Sequence, residues 1–141
     1  MRLSIASSVI FSVIALGVLD AQSSTTIKHV PLSSTSPASG KEMFATYCAV
    51  CHGVDGKGAG PAAAALKAQP ANLRQLTAKN GGTFPELHVA ATLSAADVVA
   101  HGSTEMPVWG NLFKSLDGGK QSIAQMRIAN LVAYIKSIQA Y

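Results

Sequence analysis

The sequence predicts a small all-α domain whose helices are joined by long loops. No stretch shows the alternation of apolar and polar residues that is typical of strands, whereas apolar residues recur at helical spacing in several segments. Glycine-rich stretches separate these segments. Several short helices in about 100 residues bury only a thin core. We therefore expect a group other than side chains to fill part of the interior.

The first 23 residues have the composition of a secretory signal peptide. Arg2 precedes the apolar run LSIASSVIFSVIALGVL, and the small residues Ala21 and Ser23 follow it. An uncleaved membrane anchor is the competing interpretation, although the run is shorter than the roughly 20 residues that a membrane span needs. We predict a periplasmic or otherwise exported protein, with membrane contact only if this segment is retained.

Residues 24–37 are rich in Ser, Thr and Pro, and we predict a flexible arm there, followed by one domain over residues 38–141. The formal net charge of the chain is +4. Its basic residues are scattered and lack interleaved aromatics, so nucleic acid is not expected as a partner. A mild positive charge favours association with a partner protein that has an acidic surface. A solvated basic surface without any role in binding is an equal alternative.

The first helix is predicted to begin near Gly40, because Met43, Phe44 and Tyr47 share one helical face. It should end at residues 51–53, where the glycine-rich loop GVDGKGAGP begins. The segment AAAALKA is predicted to form a short helix before Pro70.

The second half of the chain contains the longer predicted helices. Thr83 is expected to cap a helix that runs to about Leu93, and residues 94–102 are expected to form another short one. The stretch STEMPVWGNLF is predicted to be a loop. The pattern at 122–125 predicts a capping box that opens the longest helix, to about Ile138. Its apolar stripe is Ile128, Leu131, Val132, Ile135 and Ile138.

The only two cysteines, Cys48 and Cys51, lie three residues apart and are followed directly by His52. A disulfide at this spacing closes a very small loop and stabilises weakly. Cys-x-x-Cys-His is the attachment signature of c-type haem, in which the thiols bind the porphyrin and the histidine binds the iron. A thioredoxin-like site needs a βαβ pattern, which the sequence lacks. A zinc site needs two further paired ligands, and His29, His88 and His101 form no such motif.

A haem iron bound by His52 has a sixth position, and its occupant decides the function. Met106 lies in the loop segment EMPVWG and is followed by Pro107, which stiffens the chain. A methionine thioether opposite a histidine raises the potential of the iron and suits electron transfer. His101 is the rival candidate, whereas Met43 and Met126 fall inside predicted helices and are interpreted as core residues.

The segments GKEMFATYCAVCHGVDGKGAGP, AHGSTEMPVWG and ANLVAYIKSIQ resemble class I cytochromes c of the small bacterial type, over about residues 38–139. The resemblance implies the cytochrome c fold around one covalently attached haem c. It implies thioethers at Cys48 and Cys51, with His52 and Met106 as the iron ligands. It also implies that the Pro61 carbonyl accepts the second ring N–H of His52.

Two further implications concern packing. The resemblance places Trp109 near the haem propionates, where its indole N–H would donate a hydrogen bond; plain packing is the equal alternative. Gly40 and Phe44 of the first helix are expected to pack against Leu131 and Tyr134 of the last.

The predicted function is that of a monohaem electron carrier, which is not itself an enzyme. Its expected partners are a redox donor and a redox acceptor, such as a membrane oxidase or a dehydrogenase. One alternative is a haem subunit of a larger oxidase or dehydrogenase complex. Another is an open-site haem enzyme or a gas sensor, which would need a vacant sixth position.

Overall fold

The computed structural model describes residues 32–94 and 106–140. Within these residues all regular elements are helical, which confirms the all-α prediction. None of the described helices is long and apolar enough to cross a membrane. The predicted signal segment, the first part of the arm and nearly all of the short helix predicted at 94–102 lie outside the described residues.

The first helical stretch consists of α1 (Gly40–Met43), a π-helical turn (Phe44–Cys48) and α2 (Ala49–His52). The Ser39 hydroxyl accepts the backbone N–H of Glu42 at 3.2 Å and so caps α1. Gly53, with φ of +77°, ends the stretch in a conformation that glycine adopts without steric cost. The predicted beginning and end of this helix are confirmed. The wider π turn is of a kind often found at functional sites.

Residues 53–72 form a folded loop that connects α2 to the 3-10 turn beginning at Leu73. Gly58 has φ of +88°, and a Cβ atom there would lie 2.2 Å from the Pro70 carbonyl oxygen. The backbone N–H of Leu73 donates to the Gly56 carbonyl at 2.8 Å. These close contacts hold residues 70–73 against the glycine-rich loop. Only a 3-10 turn, Ala63–Ala65, forms where a short helix is predicted.

The remaining elements are a 3-10 turn (Leu73–Gln75), α3 (Leu76–Lys79), α4 (Glu86–Ser94), α5 (Trp109–Leu116) and α6 (Gln121–Ser137). Helix α6 packs against α1, α4 and α5, and it is the centre of the fold. A Cβ atom at Gly40 would lie 2.1 Å from the Asn130 carbonyl oxygen, so α1 and α6 approach closely at this point. The Phe44 and Tyr134 ring centroids are 5.3 Å apart, as the predicted helix pairing requires.

Two further predictions about local structure are wrong. The stretch predicted as a loop after Met106 forms α5, because Trp109, Leu112, Phe113 and Leu116 share one face and two of them enter the core. Helix α6 begins at Gln121 with Lys120 as its N-cap, and no side chain caps it. The capping box predicted at 122–125 therefore does not form.

The prediction of a flexible arm over 24–37 is wrong for its last residues, which pack on the domain. The side chain of Asn130 donates to the Pro37 carbonyl at 2.9 Å, and Arg127 donates to the Thr35 carbonyl at 2.9 Å. Thr35 is only 6% exposed. The folded unit therefore begins several residues before the predicted boundary at residue 38.

The core is formed by the inner faces of α1, α4, α5 and α6 together with the π turn. The predicted stripe of α6 is confirmed for Ile128, Leu131, Val132 and Ile135, which are buried, while Ile138 is partly buried. Met43 is fully buried as expected. Met126 is 42% exposed, so its interpretation as a core residue is wrong. Arg127, next to it, is buried instead.

Candidate haem site

His52 is the last residue of α2 and is 7% exposed. Its Nδ1 atom lies 3.0 Å from the Ala71 carbonyl oxygen. A carbonyl only accepts, so Nδ1 carries the proton and donates, which leaves the lone pair of the neutral ring on Nε2. Burial lowers the pKa of His52, and the hydrogen bond to Ala71 opposes this shift. A neutral imidazole with a defined tautomer is the form that binds a metal.

The predicted role of Pro61 is wrong, because Ala71 supplies the carbonyl that accepts the Nδ1 proton. Backbone hydrogen bonds fix the chain on both sides of Pro61: Gly60 N–H donates to the Cys51 carbonyl and Ala62 N–H to the Val50 carbonyl. These bonds hold Pro61 exposed beside the end of α2. The acceptor comes from a later loop segment, which the packing of Gly58 against Pro70 brings to the histidine.

Cys48 and Cys51 are not joined to each other, and they differ in exposure. Cys48 is buried, and burial together with the nearby Cys51 raises the pKa of its thiol to about 12. This thiol is therefore neutral at physiological pH. Cys51 is partly exposed. Both side chains, like His52, border one pocket.

This pocket has a volume of about 550 Å³, counting the space at its open mouth. Most of its lining is apolar, and it places α2, the 66–71 loop and the residues before α5 around one space. The lining residues are Tyr47, Cys48, Cys51, His52, Leu66, Ala68, Gln69, Pro70, Ala71, Met106, Pro107 and Trp109.

The pocket brings together residues that are far apart in the sequence. Met106 and Pro107 line it together with His52, so the structure collects both predicted ligands at one space. Met43 instead lies in the core, where its sulfur is 3.7 Å from Arg127 Nη1. His101 falls outside the described residues. The structure describes no group of three or more His, Cys, Asp or Glu within residues 32–94 and 106–140 that could hold a metal.

Trp109 forms part of an aromatic wall. It is 5% exposed and lines the pocket, and its ring centroid lies 5.4 Å from that of Tyr47 and 5.5 Å from that of Phe113. Packing therefore accounts for its position. The described residues provide no hydrogen-bond acceptor for its indole N–H, so the predicted donation to a haem propionate stays a prediction.

The family model described as "Cytochrome c" matches residues 37–139. The chain belongs to the cytochrome c family. Membership establishes a haem- and iron-binding protein of a family whose general role is electron transfer, and it confirms the predicted cytochrome c fold. Searches of the curated proteins and of the solved structures gave no match.

The residues around the pocket fit the c-type haem that the family implies. The cytochrome c domain places two thiols, an imidazole with its lone pair on Nε2 and a thioether around one largely apolar space. A c-type haem takes two thiols as attachment points and soft or borderline ligands on its iron, and this donor set is of that kind. The thioredoxin alternative requires strands, and the described part of the cytochrome has none.

Ala71 and Tyr47 are among the residues of this site that sequence reasoning misses. Ala71 acts through its backbone, which no side-chain motif reveals. Tyr47 directly precedes the Cys-x-x-Cys-His motif, and the sequence pattern indicates it only as part of the apolar face of the first helix. Its position next to Cys48 on the same helical stretch is the signal that could have placed it at the pocket.

Proposed function

We propose that this protein is a monohaem c-type cytochrome that carries single electrons between protein partners. Cys48 and Cys51 would attach the haem through thioethers, and His52 and Met106 would be ligands of its iron. The observation that carries the proposal is the convergence of His52, Met106 and both cysteines on one pocket. Bound there, the haem would supply a one-electron Fe(III)/Fe(II) couple.

The chain's own residues would set the properties of that couple. The Ala71 carbonyl holds the Nδ1 proton of His52 and thereby aims Nε2 as the ligand atom. Pro107 restricts the backbone next to Met106, which favours a fixed position for the sulfur. Because neither ligand would need to leave when the charge on the iron changes, the reorganisation cost of electron transfer would be small.

The surroundings of the pocket support a carrier better than a catalyst acting on a small substrate. Tyr47 and Trp109, both buried, close one side with aromatic surface and limit the access of water. A methionine that keeps the sixth position leaves no room on the iron for a substrate. Electrons would instead pass at the open side of the pocket, where a donor protein and an acceptor protein dock in small, weak contacts.

Export is a part of the same proposal. Residues 1–23 combine a basic start, an apolar run and small residues, which together indicate a secretory signal. We therefore place the cytochrome in the periplasm or an equivalent exported compartment. Retention of this segment would tether the protein to the membrane.

A covalent-attachment assay tests the proposal. The full chain is produced in cells with c-type haem maturation, and the periplasmic fraction is analysed by intact mass and by the pyridine haemochrome spectrum. We expect one haem per chain that resists acid–acetone extraction, with a low-spin c-type band in the reduced spectrum. The matched Cys48→Ala/Cys51→Ala variant should lose covalent haem. Haem that extracts freely from the unmodified protein would contradict the proposal.

A further inference from the structure

Arg127 is a buried cation that the proposed electron carrier does not explain. It lies within α6, and only 2% of its side chain is exposed. Its Nε and Nη2 atoms donate to the two carboxylate oxygens of Asp117 at 2.7 and 3.0 Å. Removing a guanidinium from water is costly even when it is paired. An apolar residue at this position of the helix would avoid that cost. A specific role of Arg127 would explain why a buried cation is present instead.

The third nitrogen of Arg127 reaches the segment that precedes the first helix. Nη1 donates to the Thr35 carbonyl at 2.9 Å and to the Thr35 hydroxyl oxygen at 3.0 Å. That hydroxyl lies 2.9 Å from the phenol oxygen of Tyr47, which in turn donates to the Ser33 carbonyl at 2.5 Å. One continuous hydrogen-bonded network therefore links four residues from three parts of the polypeptide: Arg127, Thr35, Tyr47 and Ser33.

The direction of every hydrogen bond in this network follows from its two end groups, the Arg127 guanidinium and the Ser33 carbonyl. A guanidinium only donates, and a carbonyl only accepts. The Thr35 hydroxyl therefore accepts from Arg127 and gives its own proton to the Tyr47 oxygen, and the Tyr47 proton points to the Ser33 carbonyl. One assignment satisfies all donors and acceptors. The network is buried from Arg127 to the Tyr47 phenol, and such a fully connected buried network fixes its members in place.

The network ends at the wall of the pocket. The ring of Tyr47 lines the pocket and packs against Trp109, another lining residue, and against Phe113, with its centroid 5.7 Å away. The guanidinium carbon of Arg127 also lies 5.9 Å from the Phe113 ring centroid, within the range of a cation–π contact. Arg127 therefore supports the aromatic wall at two points without touching the pocket itself.

We infer that Arg127 is a positioning residue for the haem pocket, acting through the Thr35 hydroxyl to hold Tyr47 against the space beside Cys48 and His52. Residues 33–37 accordingly belong to the haem site and are not a tether. The inference rests on the proposed function, because it concerns a haem in this pocket. A fixed wall keeps water away from the iron, which favours the less charged ferrous state and limits displacement of the methionine by external ligands.

The test compares three variants of the full-length holoprotein with the unmodified protein. Thr35→Val removes the hydroxyl but keeps the carbonyl that accepts from Arg127. Thr35→Ser keeps the hydroxyl and is the conservative rescue. Asn130→Ala removes the bond to the Pro37 carbonyl, so it loosens the same segment without touching the Tyr47 network. The readouts are the midpoint potential, the affinity of the ferric protein for added imidazole and the free energy of unfolding.

We expect Thr35→Val to raise the imidazole affinity roughly fivefold, the equivalent of one hydrogen bond of about 1 kcal/mol, and to lower the midpoint potential. Thr35→Ser should stay near the unmodified protein in both readouts. Asn130→Ala should lower the stability and leave both haem readouts unchanged. If Thr35→Val lowers only the stability, or if Asn130→Ala changes the haem readouts equally, the inference is overturned.

Tyr47→Phe provides a second route to the same answer, because it keeps the aromatic ring and removes only the phenol group. It should shift imidazole affinity and potential in the same directions as Thr35→Val. Unchanged values in this variant would also overturn the inference. Failure of the unmodified protein to hold covalent haem would instead contradict the proposed function, so the two failures are distinguishable.

Discussion

The Nδ1 atom of His52 lies 3.0 Å from the carbonyl oxygen of Ala71, nineteen residues later in the chain. This contact joins the end of the Cys-x-x-Cys-His helix to a loop segment whose position depends on the glycine-rich stretch before it. The geometry of the proposed ligand is therefore set by backbone packing, and the glycines that permit this packing become testable.

Gly58→Ala should disturb the His52–Ala71 contact from a distance. A Cβ atom there would lie 2.2 Å from the Pro70 carbonyl oxygen, and the residue has φ of +88°. We expect a loss of roughly 2–4 kcal/mol in the free energy of unfolding, from the clash and the backbone strain together. Denaturant titration of the haem-loaded protein measures this loss, and the potential should shift as well.

The matched control for Gly58→Ala is Gly81→Ala. Gly81 also has a positive φ, of +64°, but no atom lies within 4 Å of the position that a Cβ atom would take there. Gly81→Ala should lower the free energy of unfolding by only roughly 1–2 kcal/mol, which is the cost of the backbone strain. The midpoint potential should stay unchanged. Equal losses in the two variants would show that the contact of Gly58 with Pro70 has no role.

Gly40→Ala tests the close approach of α1 and α6. Helix propensity alone predicts that this substitution stabilises the protein by roughly 0.5–1 kcal/mol. The added methyl would however lie 2.1 Å from the Asn130 carbonyl oxygen and 2.8 Å from the Tyr134 Cβ atom. We expect a net destabilisation of about 1–3 kcal/mol, as overpacking usually costs, measured by thermal and denaturant unfolding. A gain in stability would contradict the helix packing.

The pair of Asp117 and Arg127 should make stability depend on pH in the acid range. The hydrogen bond from Arg127 lowers the pKa of the Asp117 carboxyl below its ordinary value of 3.8. The carboxylate therefore stabilises the fold above pH 3.8, and this contribution is lost as pH falls through the lower, folded-state pKa. Unfolding free energies measured across the acid range, from neutral pH downward, should show this loss.

Asp117→Asn should remove that acid dependence and leave a buried guanidinium without its counter-charge, at a cost of roughly 3–5 kcal/mol at neutral pH. Asp55→Asn is the control, because Asp55 pairs with Lys57 where both side chains are about half exposed. Exposed pairs contribute little. A similar response of the two variants would contradict the burial of the Arg127 pair.

The ends of the fold are more predictable from the sequence than its middle. The first helix, its stop at Gly53 and the stripe of α6 follow from local patterns of apolar residues and glycine, which are short-range. Helix α5 is not predicted, although Trp109, Leu112, Phe113 and Leu116 have helical spacing, because the neighbouring glycine and proline indicate a loop. Its apolar face gains stability through tertiary contacts with α4, with α6 and with Tyr47.

The site is predictable where its chemistry depends on side-chain type and spacing. Cys48, Cys51, His52 and Met106 can be named from the sequence, and they line one pocket. The acceptor of the His52 Nδ1 proton cannot be named from the sequence, because any backbone carbonyl can serve and only the tertiary packing selects Ala71. Arg127 falls on the apolar stripe, three residues after Ala124 and four before Leu131, but a charged residue is normally exposed.

The central claim is that Met106 and His52 together hold the iron, and Met106→Ala tests it most directly, with Met126→Ala as the control on an exposed methionine. Axial ligands vary haem potentials over roughly 0.8 V, so we expect Met106→Ala to lower the midpoint potential by on the order of 0.1 V or more. The ferrous variant should also bind CO at neutral pH, unlike the unmodified protein and Met126→Ala. A Met106→Ala variant with unchanged potential and no CO binding would contradict the account.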